Sequence, residues 1–554
     1  MSKIQRFTTH VPIRFGFRLG LVLLLATAVG CGQKSATTEH AIETAEHHDG
    51  IAWFDGSSDA AFALAKSEGK PLFLYWGAEW CPPCHYLKNK IFKRPEFVEK
   101  SEEFVPVYLD GDTESAQILG EELGVMGYPT VIIFSPEGEE VMRMPSTIPV
   151  EEYAVVLDSA MERMRPVKTV LAEVMEAGAA NAHPTDLNVL AFYSWGQDSK
   201  VELEDEEKVT TFKRLYEETP DELTLERSRF LSLYLGALIQ QSSDGEEALL
   251  SGEERAGLDA AVTALLDDKQ LVGNNLILLF YYSRETVELL HPEASPERQA
   301  LIGKWVTTAR AIENEETLPV DDRLDAIYPQ IQLAKLQAEA ELPAGSEEEA
   351  QVSAELQDHV RERIAWATGT VTDEGELQGV VNSMGGLLMS SGLESEAEAL
   401  LTQMMDKTEA PYYFMSWIGS IKKEADQPEE ALVWYRKAYE NSRGRYSRFR
   451  WGSTYLRQAI ELAPEDETSI ETESLDILAE LLALDDAFAG GNYSRLGQLE
   501  KAYQTWNEEG THDKAVTTIR EFVHQACDRY PAEGEDSAQE RCTGFLVEEG
   551  IEGA

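Results

Sequence analysis

Six residues, Trp80-Cys81-Pro82-Pro83-Cys84-His85, and the stretches on either side of them decide the fold of this chain. The preceding run Pro71–Trp76 is apolar and rich in aromatic residues, which predicts a buried strand. The following run Tyr86–Phe92 predicts a helix with Leu87 and Ile91 on one face. The two prolines suit a first helical turn, where a missing N–H group costs no hydrogen bond. Two thiols are therefore expected where a strand passes into a helix, and the helix dipole there favours the thiolate of the first cysteine.

A second motif, Gly127-Tyr128-Pro129-Thr130, leads into the apolar run Val131–Phe134, which predicts another buried strand. The turn Ser135–Gly138 follows this strand. A dithiol at a strand-to-helix turn, together with a Gly-x-Pro-Thr loop before a strand, resembles the thioredoxin superfamily. The resemblance covers residues 51–165. The stretch Gly69–Val98 looks most like the thioredoxin-like domain of periplasmic thiol–disulfide interchange proteins.

The resemblance implies a redox site built on Cys81 and Cys84. Cys81 would attack a client disulfide, or be attacked as part of one, and Cys84 would then resolve the mixed disulfide. In thioredoxin-like proteins the proline that corresponds to Pro129 is cis and lies beside the dithiol, and the backbone of its neighbour pairs with the substrate chain. The residues expected to contact the substrate are Trp80, Tyr128, Pro129 and Thr130.

Two departures from ordinary thioredoxins concern the proton acceptor for the second thiol. The buried aspartate of the family lies on the strand before the motif, where this chain has Leu74 or Tyr75. The lysine of the neighbouring strand is also missing, because the predicted strand Phe104–Asp110 contains none. Glu79 and His85 are the candidates to replace these groups.

The cysteine motif has other interpretations. Cys81–His85 is also a Cys-x-x-Cys-His string, which can mark covalent haem with the histidine as axial ligand. The flanking strand and the Gly-x-Pro-Thr loop favour thioredoxin instead. Zinc would need two further ligands, and no second Cys-x-x-Cys pair occurs in the sequence. An inert cysteine pair is the remaining alternative, and we expect neither a metal nor a cofactor.

The length and charge of the chain limit its class. A chain of 554 residues is too long for one core, which predicts several domains. Its 48 basic and 100 acidic residues give a formal net charge of −52. This charge argues against nucleic acid or an anionic membrane surface as the main partner. A solvated, acidic surface is the simpler interpretation.

Residues 1–30 predict a lipoprotein signal peptide. Basic residues precede the apolar run Leu19–Val29, which is too short to span a bilayer as a mature helix. The sequence Ala28–Gly32 resembles a bacterial lipobox and predicts lipidation of Cys31, whereas ordinary secretion would leave Cys31 in a discarded signal. Residues 31–50 are polar and predict a flexible linker. We therefore expect an exported protein, lipid-anchored to a bacterial membrane and facing the periplasm or the cell exterior.

Residues 51–165 are predicted to form the α/β domain. The segment Ile51–Gly69 suits a first helix with Asp59 as its cap. The run Phe104–Asp110 predicts the next strand, and Ser115–Leu123 predicts the next helix. Strands that alternate with helices define an α/β class.

Strand patterns disappear beyond residue 165, and the rest of the chain is predicted to be all-α. Residues 166–371 are assigned only as helical, whereas residues 372–554 resemble tetratricopeptide repeats. The residues that fall on the signature places of that family are Gly419, Ala431, Tyr435 and Ala438. An acidic insertion at Glu465–Glu473 is expected to interrupt the third repeat, and one further hairpin is expected after it. Generic helical hairpins are the alternative, and in either case stacked helices of this kind usually bind protein.

The chain has five cysteines, and lipidation of Cys31 would leave an even number. An even number suits an exported protein, because disulfides persist in oxidising compartments. Cys527 and Cys542 lie close together near the C-terminus and predict a structural disulfide. A second redox pair that exchanges electrons with the first is the alternative.

These patterns predict an α/β thioredoxin-like domain followed by an all-α, tetratricopeptide-like helical-repeat region. The expected function is that of an extracytoplasmic, membrane-anchored thiol–disulfide oxidoreductase of the protein-disulfide reductase type. Its partners would be protein thiol and disulfide clients, an electron-donor protein and the lipid of the membrane, with no nucleic acid. One alternative is a scaffold lipoprotein whose repeats are the function and whose thioredoxin-like domain only binds. A chaperone-like holdase that uses the repeats is another.

Overall fold

The structure is a computed structural model, and it describes most of the chain from Gly50 to Val547. The described residues are 50–78, 80–145, 148–200, 203, 205–243, 250–343, 350–372, 374–408, 410–532 and 536–547. The predicted signal peptide, Cys31, nearly all of the predicted linker and Glu79 lie outside these residues.

A four-stranded sheet forms the centre of the α/β part, with strand order β2-β1-β3-β4. Its strands are β1 Leu72–Gly77, β2 Val105–Asp110, β3 Thr130–Phe134 and β4 Glu140–Met144. β3 pairs antiparallel with both β1 and β4. Trp76 lies opposite Thr130 in this register, so the C-terminal end of β1 and the N-terminal end of β3 lie side by side. The register therefore brings the cysteine motif, which follows β1, close to the loop that precedes β3.

Five α-helices and one π-helical turn accompany the sheet. They are α1 Ser58–Glu68, α2 Pro82–Tyr86, the π-helical turn Leu87–Phe92, α3 Pro95–Lys100, α4 Glu114–Glu122 and α5 Val150–Arg163. Leu87 and Ile91 are both buried, as their predicted shared face requires. The expected cap of α1 is wrong: Ser57 accepts the hydrogen bond from Ala60 N, and Asp59 lies in the first turn, where its charge suits the helix dipole. Strand β4 has no strand-like pattern in the sequence, because Glu140 and Arg143 interrupt its apolar residues.

Beyond residue 166 the described chain is helical apart from loops and one isolated bridge, as predicted. The helices up to residue 404 are α6 Val167–Ala177, α7 Pro184–Phe192, α8 Asp205–Glu218, α9 Thr224–Ser243, α10 Gly252–Asp267, α11 Lys269–Gly273, α12 Leu276–Tyr281, α13 Ser283–Leu290, α14 Pro296–Glu313, α15 Val320–Asp325, α16 Tyr328–Glu339, α17 Ala354–Thr370, α18 Glu374–Ser390 and α19 Glu394–Met404. The later helices are α20 Pro411–Glu424, α21 Pro428–Asn441, α22 Arg445–Leu462, α23 Glu467–Leu482, α24 Gly490–Trp506, α25 Asp513–His524 and α26 Ala538–Gly544. In the described part of the chain, no helix is both long enough and apolar enough to cross a bilayer.

The described chain divides into two compact units. One unit comprises residues up to 108 together with residues 124–400, and the other comprises residues 109–123 and 401 onward. In the first unit a single apolar core extends from the sheet into the helices that follow it. Its members include Phe73, Tyr153, Leu190, Phe230 and Trp305, all with at most 1% of their surface exposed. The sheet of this unit and the helices after it therefore share one core.

In the second unit, helix α4 packs against the C-terminal helix α24. Asp112, just before α4, accepts hydrogen bonds from the backbone N and the hydroxyl of Ser447, at 3.1 and 2.8 Å. Arg541 Nη1 lies 2.6 Å from Glu121 Oε1. These polar contacts join α4 to helices that lie more than three hundred residues away in the sequence.

The C-terminal helices show why small residues recur there. Helices α20 and α21 form a hairpin, and a Cβ at Gly419 would lie only 3.1 Å from the ring of Tyr435. Ala431 and Ala438 are buried in the same hairpin. Small side chains therefore permit the close approach of these two helices.

The predicted acidic insertion at Glu465–Glu473 is wrong. Most of this segment is the first part of helix α23, which Asp466 caps by accepting from Ser469 N. Ile470 and Ser474 are buried on its inner face, and the glutamates occupy the outer face. The acidic residues therefore lie on the polar face of an amphipathic helix, whose first two turns contain few apolar residues.

Candidate functional site

The two cysteines of the motif form the first turn of α2. Cys81 is the N-cap residue, and its sulfur accepts a hydrogen bond from Cys84 N at 3.2 Å. The two residues form a disulfide, with their Cα atoms 5.2 Å apart. Prolines occupy the first positions of the helix, where no backbone donor is needed. The N–H of Cys84 therefore points at the sulfur of Cys81 and stabilises negative charge on it.

The loop before β3 lies beside this turn. The Tyr128–Pro129 peptide bond is cis. The ring of Tyr128 lies 5.3 Å from that of Trp80, edge to face, and 4.5 Å from that of Trp76. The structure thus brings together Trp80, Tyr128 and Pro129, which the sequence places on two separate motifs.

Thr130 has a different position from these three residues. Its side chain is 2% exposed, and its hydroxyl donates to the carbonyl of Gly127 at 2.8 Å. The same hydroxyl lies 3.3 Å from Gln197 Oε1. Thr130 therefore fixes the shape of the loop from the inside.

The cysteine pair is almost completely buried in this disulfide form, although disulfide exchange requires an accessible sulfur. Cys81 is 2% exposed, Cys84 is fully buried, and Trp80 is 5% exposed. Pro83, between the cysteines, is exposed. Helix α18, from the helical region, packs against α2. The sequence contains no local indication of this contact, because α18 follows the motif by almost three hundred residues.

Strand β1 has no acidic side chain that could replace the buried aspartate of ordinary thioredoxins, which accepts the proton of the second thiol. Leu74 and Tyr75 are both buried in the strand. His85 lies in the last turn of α2 and is half-buried. Of the two candidates for this role, Glu79 and His85, only His85 lies among the residues that the structure describes. Among the described residues, no group of His, Cys, Asp or Glu side chains is arranged to hold a metal ion.

A buried ionic network next to the loop was missed by the sequence reasoning. Arg143 of β4 is 1% exposed, and its Nε lies 2.7 Å from Glu140 Oε1. Its guanidinium also donates to the carbonyls of Gly124 and Gln197. Tyr193 donates to Asp198 at 2.8 Å, and burial raises the pKa of this tyrosine well above its ordinary value. A basic residue inside an apolar strand is the one local feature that could have indicated such a network.

The network fixes the segment after α7 against the start of the loop. Asp198 forms an isolated antiparallel bridge with Val125. Ser199 N donates to the carbonyl of Gly124 at 3.0 Å. The loop that carries the cis proline is therefore supported by residues that follow the sheet by more than fifty positions.

The arrangement is suited to one kind of chemistry. A cysteine at a helix N-terminus, with a second cysteine in bonding distance, can alternate between a disulfide and a thiolate–thiol pair. The sheet, the cis proline and the cysteine pair together define a thioredoxin-like fold.

Comparison with known proteins agrees with this class. A family model described as a thioredoxin-like domain matches residues 58–161. The thiol:disulfide interchange protein DsbD of Cronobacter sakazakii is 35% identical over 81 residues, which are 14% of this chain and 14% of that protein. The protein of the same name from Klebsiella pneumoniae is 29% identical over 127 residues, which are 22% of this chain and 21% of that protein. The chain thus spans less than a quarter of the length of these curated relatives.

A solved structure gives a similar match. A thioredoxin from Thermus thermophilus is 28% identical, with a TM-score of 0.18, and the match covers 20% of this chain and 85% of that one. The match of the family model assigns residues 58–161 to a thioredoxin-like domain, as the sequence resemblance predicted.

Proposed function

We propose that this protein is a thiol–disulfide oxidoreductase whose redox centre is the pair Cys81 and Cys84. The observation that carries the proposal is the position of Cys81, which caps α2 and follows Trp80, whose ring packs against Tyr128 of the cis Tyr128–Pro129 bond. A helix N-terminus stabilises the thiolate, which is the form that attacks disulfides. The similarity to thiol:disulfide interchange proteins supports the same chemistry.

The exchange proceeds in two balanced steps. The Cys81 thiolate attacks one sulfur of a client disulfide, forms a mixed disulfide and releases the other client sulfur as a thiolate. The Cys84 thiolate then attacks Cys81, re-forms the intramolecular disulfide and releases the client's second thiolate. Two electrons pass from the protein to the client. His85 is the described candidate to accept the proton of Cys84, with Glu79 as the alternative. Trp80, Tyr128, Pro129 and Thr130 form or support the wall that the client chain contacts.

We further propose that the reaction runs in the reducing direction on protein disulfides, with an electron-donor protein restoring the dithiol. The Pro-Pro pair between the cysteines and the similarity to interchange domains support this direction. Measurement of the redox potential tests it. A potential near that of a strong disulfide donor, roughly −120 mV, would contradict the reducing assignment.

The proposal includes export and a lipid anchor at Cys31, with residues 1–30 as signal peptide and 31–50 as linker. The buried disulfide between Cys527 and Cys542 supports an oxidising compartment. The domains we propose are the thioredoxin-like domain at 51–165, a helical region at 166–371 and tetratricopeptide-like repeats at 372–554. The close α20–α21 hairpin supports the last of these.

Insulin reduction by dithiothreitol tests the activity. The wild-type protein should accelerate precipitation of the insulin B chain, and Cys81→Ser should abolish the acceleration. The matched control is the double variant Cys527→Ala/Cys542→Ala, which removes the other disulfide and should keep the activity. Loss of activity in this control, with its fold intact, would favour a second redox pair.

One observation favours the scaffold alternative: Cys81 is almost completely buried. In that case the helical repeats would bind protein and the cysteines would be inert. Equal insulin reduction by the wild-type protein and by Cys81→Ser would support the scaffold.

A further inference from the structure

The protein is strongly acidic, but one short stretch in the C-terminal helices is cationic. Residues 441–460 contain five arginines and neither Asp nor Glu, in a chain whose formal net charge is −52. Most of this stretch belongs to helix α22. Arg445 and Arg448 each form an ion pair with a glutamate of another helix. The charges of these two arginines are therefore balanced within the protein.

Arg457 of the same helix is bonded far less completely. Its Nε atom is buried and has no hydrogen-bond partner among the described residues, and its Nη2 donates to Thr454 Oγ1 at the long distance of 3.4 Å. Glu461 attracts Arg457, but Lys423 Nζ already lies 2.6 Å from that carboxylate. Burial and the positive charge of Arg495 lower the pKa of Arg457 to about 10. The surroundings of this guanidinium are thus unfavourable for positive charge.

Arg495 of helix α24 lies close enough to Arg457 to repel it. Only 8% of its surface is exposed, and its Nε also has no hydrogen-bond partner in the described part of the chain. Burial raises the pKa of Tyr446, but the charges of Arg495 and Arg450 turn the net shift downward. Asp112 acts on the same tyrosine, but its oxygens already accept hydrogen bonds from α22.

Positive charge is therefore concentrated where α22 and α24 pack against each other. Guanidinium groups that are removed from water need acceptors, and like charges at short range repel. An oxyanion meets both needs, because its oxygens accept from guanidinium N–H groups, often two at a time, and its charge balances theirs. The missing component of this cluster is thus an anion.

We propose that Arg457 and Arg495 form a binding site for an oxyanion, a carboxylate or phosphate group, between helices α22 and α24. The anion accepts hydrogen bonds from the two Nε–H groups. Arg457 is half-buried whereas Arg495 is buried, so the anion enters from the side of Arg457. The site lies in the second unit and is independent of the redox chemistry at Cys81.

Isothermal titration calorimetry of the full-length protein with inorganic phosphate tests the site. Sodium chloride keeps the ionic strength constant, so that screening does not change during the titration. The wild-type protein should bind phosphate at one site. Arg457→Met should bind it about tenfold more weakly or worse, because a charge-assisted contact is lost. Equal affinities of the two proteins would overturn the proposal.

Arg448→Met is the matched control. Arg448 lies on the same helix but pairs with Glu480, so its replacement should leave the phosphate affinity unchanged. Arg457→Lys keeps the charge without the planar fork of donors, and should weaken binding about threefold. This variant carries the test if Arg457→Met does not fold. A loss of affinity in Arg448→Met as large as that in the Arg457 variants would overturn the site, because any lost positive charge would then have the same effect.

Thermal unfolding provides a second measurement. In chloride alone, Arg457→Met should unfold at the same temperature as the wild-type protein or at a higher one, because the repulsion from Arg495 is removed. Phosphate should raise the unfolding temperature of the wild-type protein, since a ligand of the folded state stabilises it, and should leave that of the variant unchanged. A rise of equal size in both proteins would overturn the site.

An acetylated hexaglutamate peptide, titrated at the same ionic strength, distinguishes the two sources of the anion. Tighter binding of the peptide than of phosphate, again weakened in Arg457→Met, would assign the site to the carboxylates of an acidic peptide segment. Tighter binding of phosphate would assign it to a free oxyanion. Failure of the wild-type protein to bind either probe would overturn the proposal.

Discussion

Arg143 and Asp198 form a buried ion pair, with Nη2 of the arginine 3.5 Å from Oδ1 of the aspartate. Their side chains are 1% and 2% exposed. Arg143 belongs to β4 of the thioredoxin-like domain, whereas Asp198 lies beyond the residues matched by that family. The pair therefore joins the domain to the helical region through charges that are almost completely removed from water.

Replacement of this arginine should destabilise the protein strongly. Arg143→Met would leave Glu140 and Asp198 without their buried cation. The free energy of unfolding should fall by about 3–5 kcal/mol as a result. Urea-induced unfolding followed by circular dichroism measures the loss. Arg361→Met is a suitable comparison, because Arg361 pairs with Glu396 on the surface. Its replacement should lower the free energy of unfolding by less than about 1 kcal/mol. Equal effects of the two substitutions would contradict the role of the buried network.

The resolving role of Cys84 predicts a covalent trap. Cys84→Ser should accumulate mixed disulfides through Cys81, because the second step of the exchange is blocked. Non-reducing gel electrophoresis followed by mass spectrometry would detect and identify the trapped clients. The double variant Cys81→Ser/Cys84→Ser should trap none. Adducts that persist in the double variant would show that another cysteine is the source.

Two glycines in the C-terminal helices predict opposite effects of the same substitution. A Cβ at Gly452 of α22 would lie 2.7 Å from a methyl of Ile477, whereas Gly497 of α24 has open space around it. Gly452→Ala should therefore destabilise by about 1–3 kcal/mol through overpacking. Gly497→Ala should stabilise by about 0.5–1 kcal/mol, because alanine favours the helix. Thermal unfolding measures both, and a gain in stability from Gly452→Ala would contradict the close packing.

The C-terminal disulfide should contribute to stability. Cys527 and Cys542 are bonded and buried, and a loop of this size restricts the unfolded chain by about 3 kcal/mol. The double variant Cys527→Ala/Cys542→Ala should lower the free energy of unfolding by about this amount. The wild-type protein unfolded in the presence of a reductant should show a similar loss. No change in either experiment would rule out a structural role.

A half-buried carboxyl in the helical region predicts a pH dependence of stability. Burial raises the pKa of Asp325 to about 6, although hydrogen bonds from Tyr281 and Ser383 act in the opposite direction. Its pKa in the unfolded chain is about 3.9, so between these values the folded state binds more protons than the unfolded state. The contribution of this group to stability is therefore highest below about pH 4 and falls as pH rises through 6.

The variant Asp325→Asn isolates this effect. The wild-type protein should lose stability relative to the variant, on the order of 1 kcal/mol, when pH rises from 4 to 7. The difference between the unfolding midpoints of the two proteins, measured across this range, provides the test. A difference that does not change with pH would contradict the raised pKa.

Much of the local structure follows from neighbouring residues. The apolar runs at Pro71–Trp76 and Val131–Phe134 fall on β1 and β3, because continuous apolar stretches between turns favour buried strands. Strand β4 escaped prediction because Glu140 and Arg143 interrupt its apolar pattern, and only the pairing of Arg143 with Glu140 and Asp198 makes its burial favourable.

The sequence by itself determined where the cysteine pair lies, which elements flank it and which family its domain resembles, because these depend on residues adjacent in the chain. Only the tertiary structure decided that Cys81 is buried and that α18 rests on α2. It also decided that Asp198 supports the loop before β3 through Arg143. The periodicity of a sequence shows which face of a helix or strand is apolar, but it carries no information about the distant segment that will cover that face.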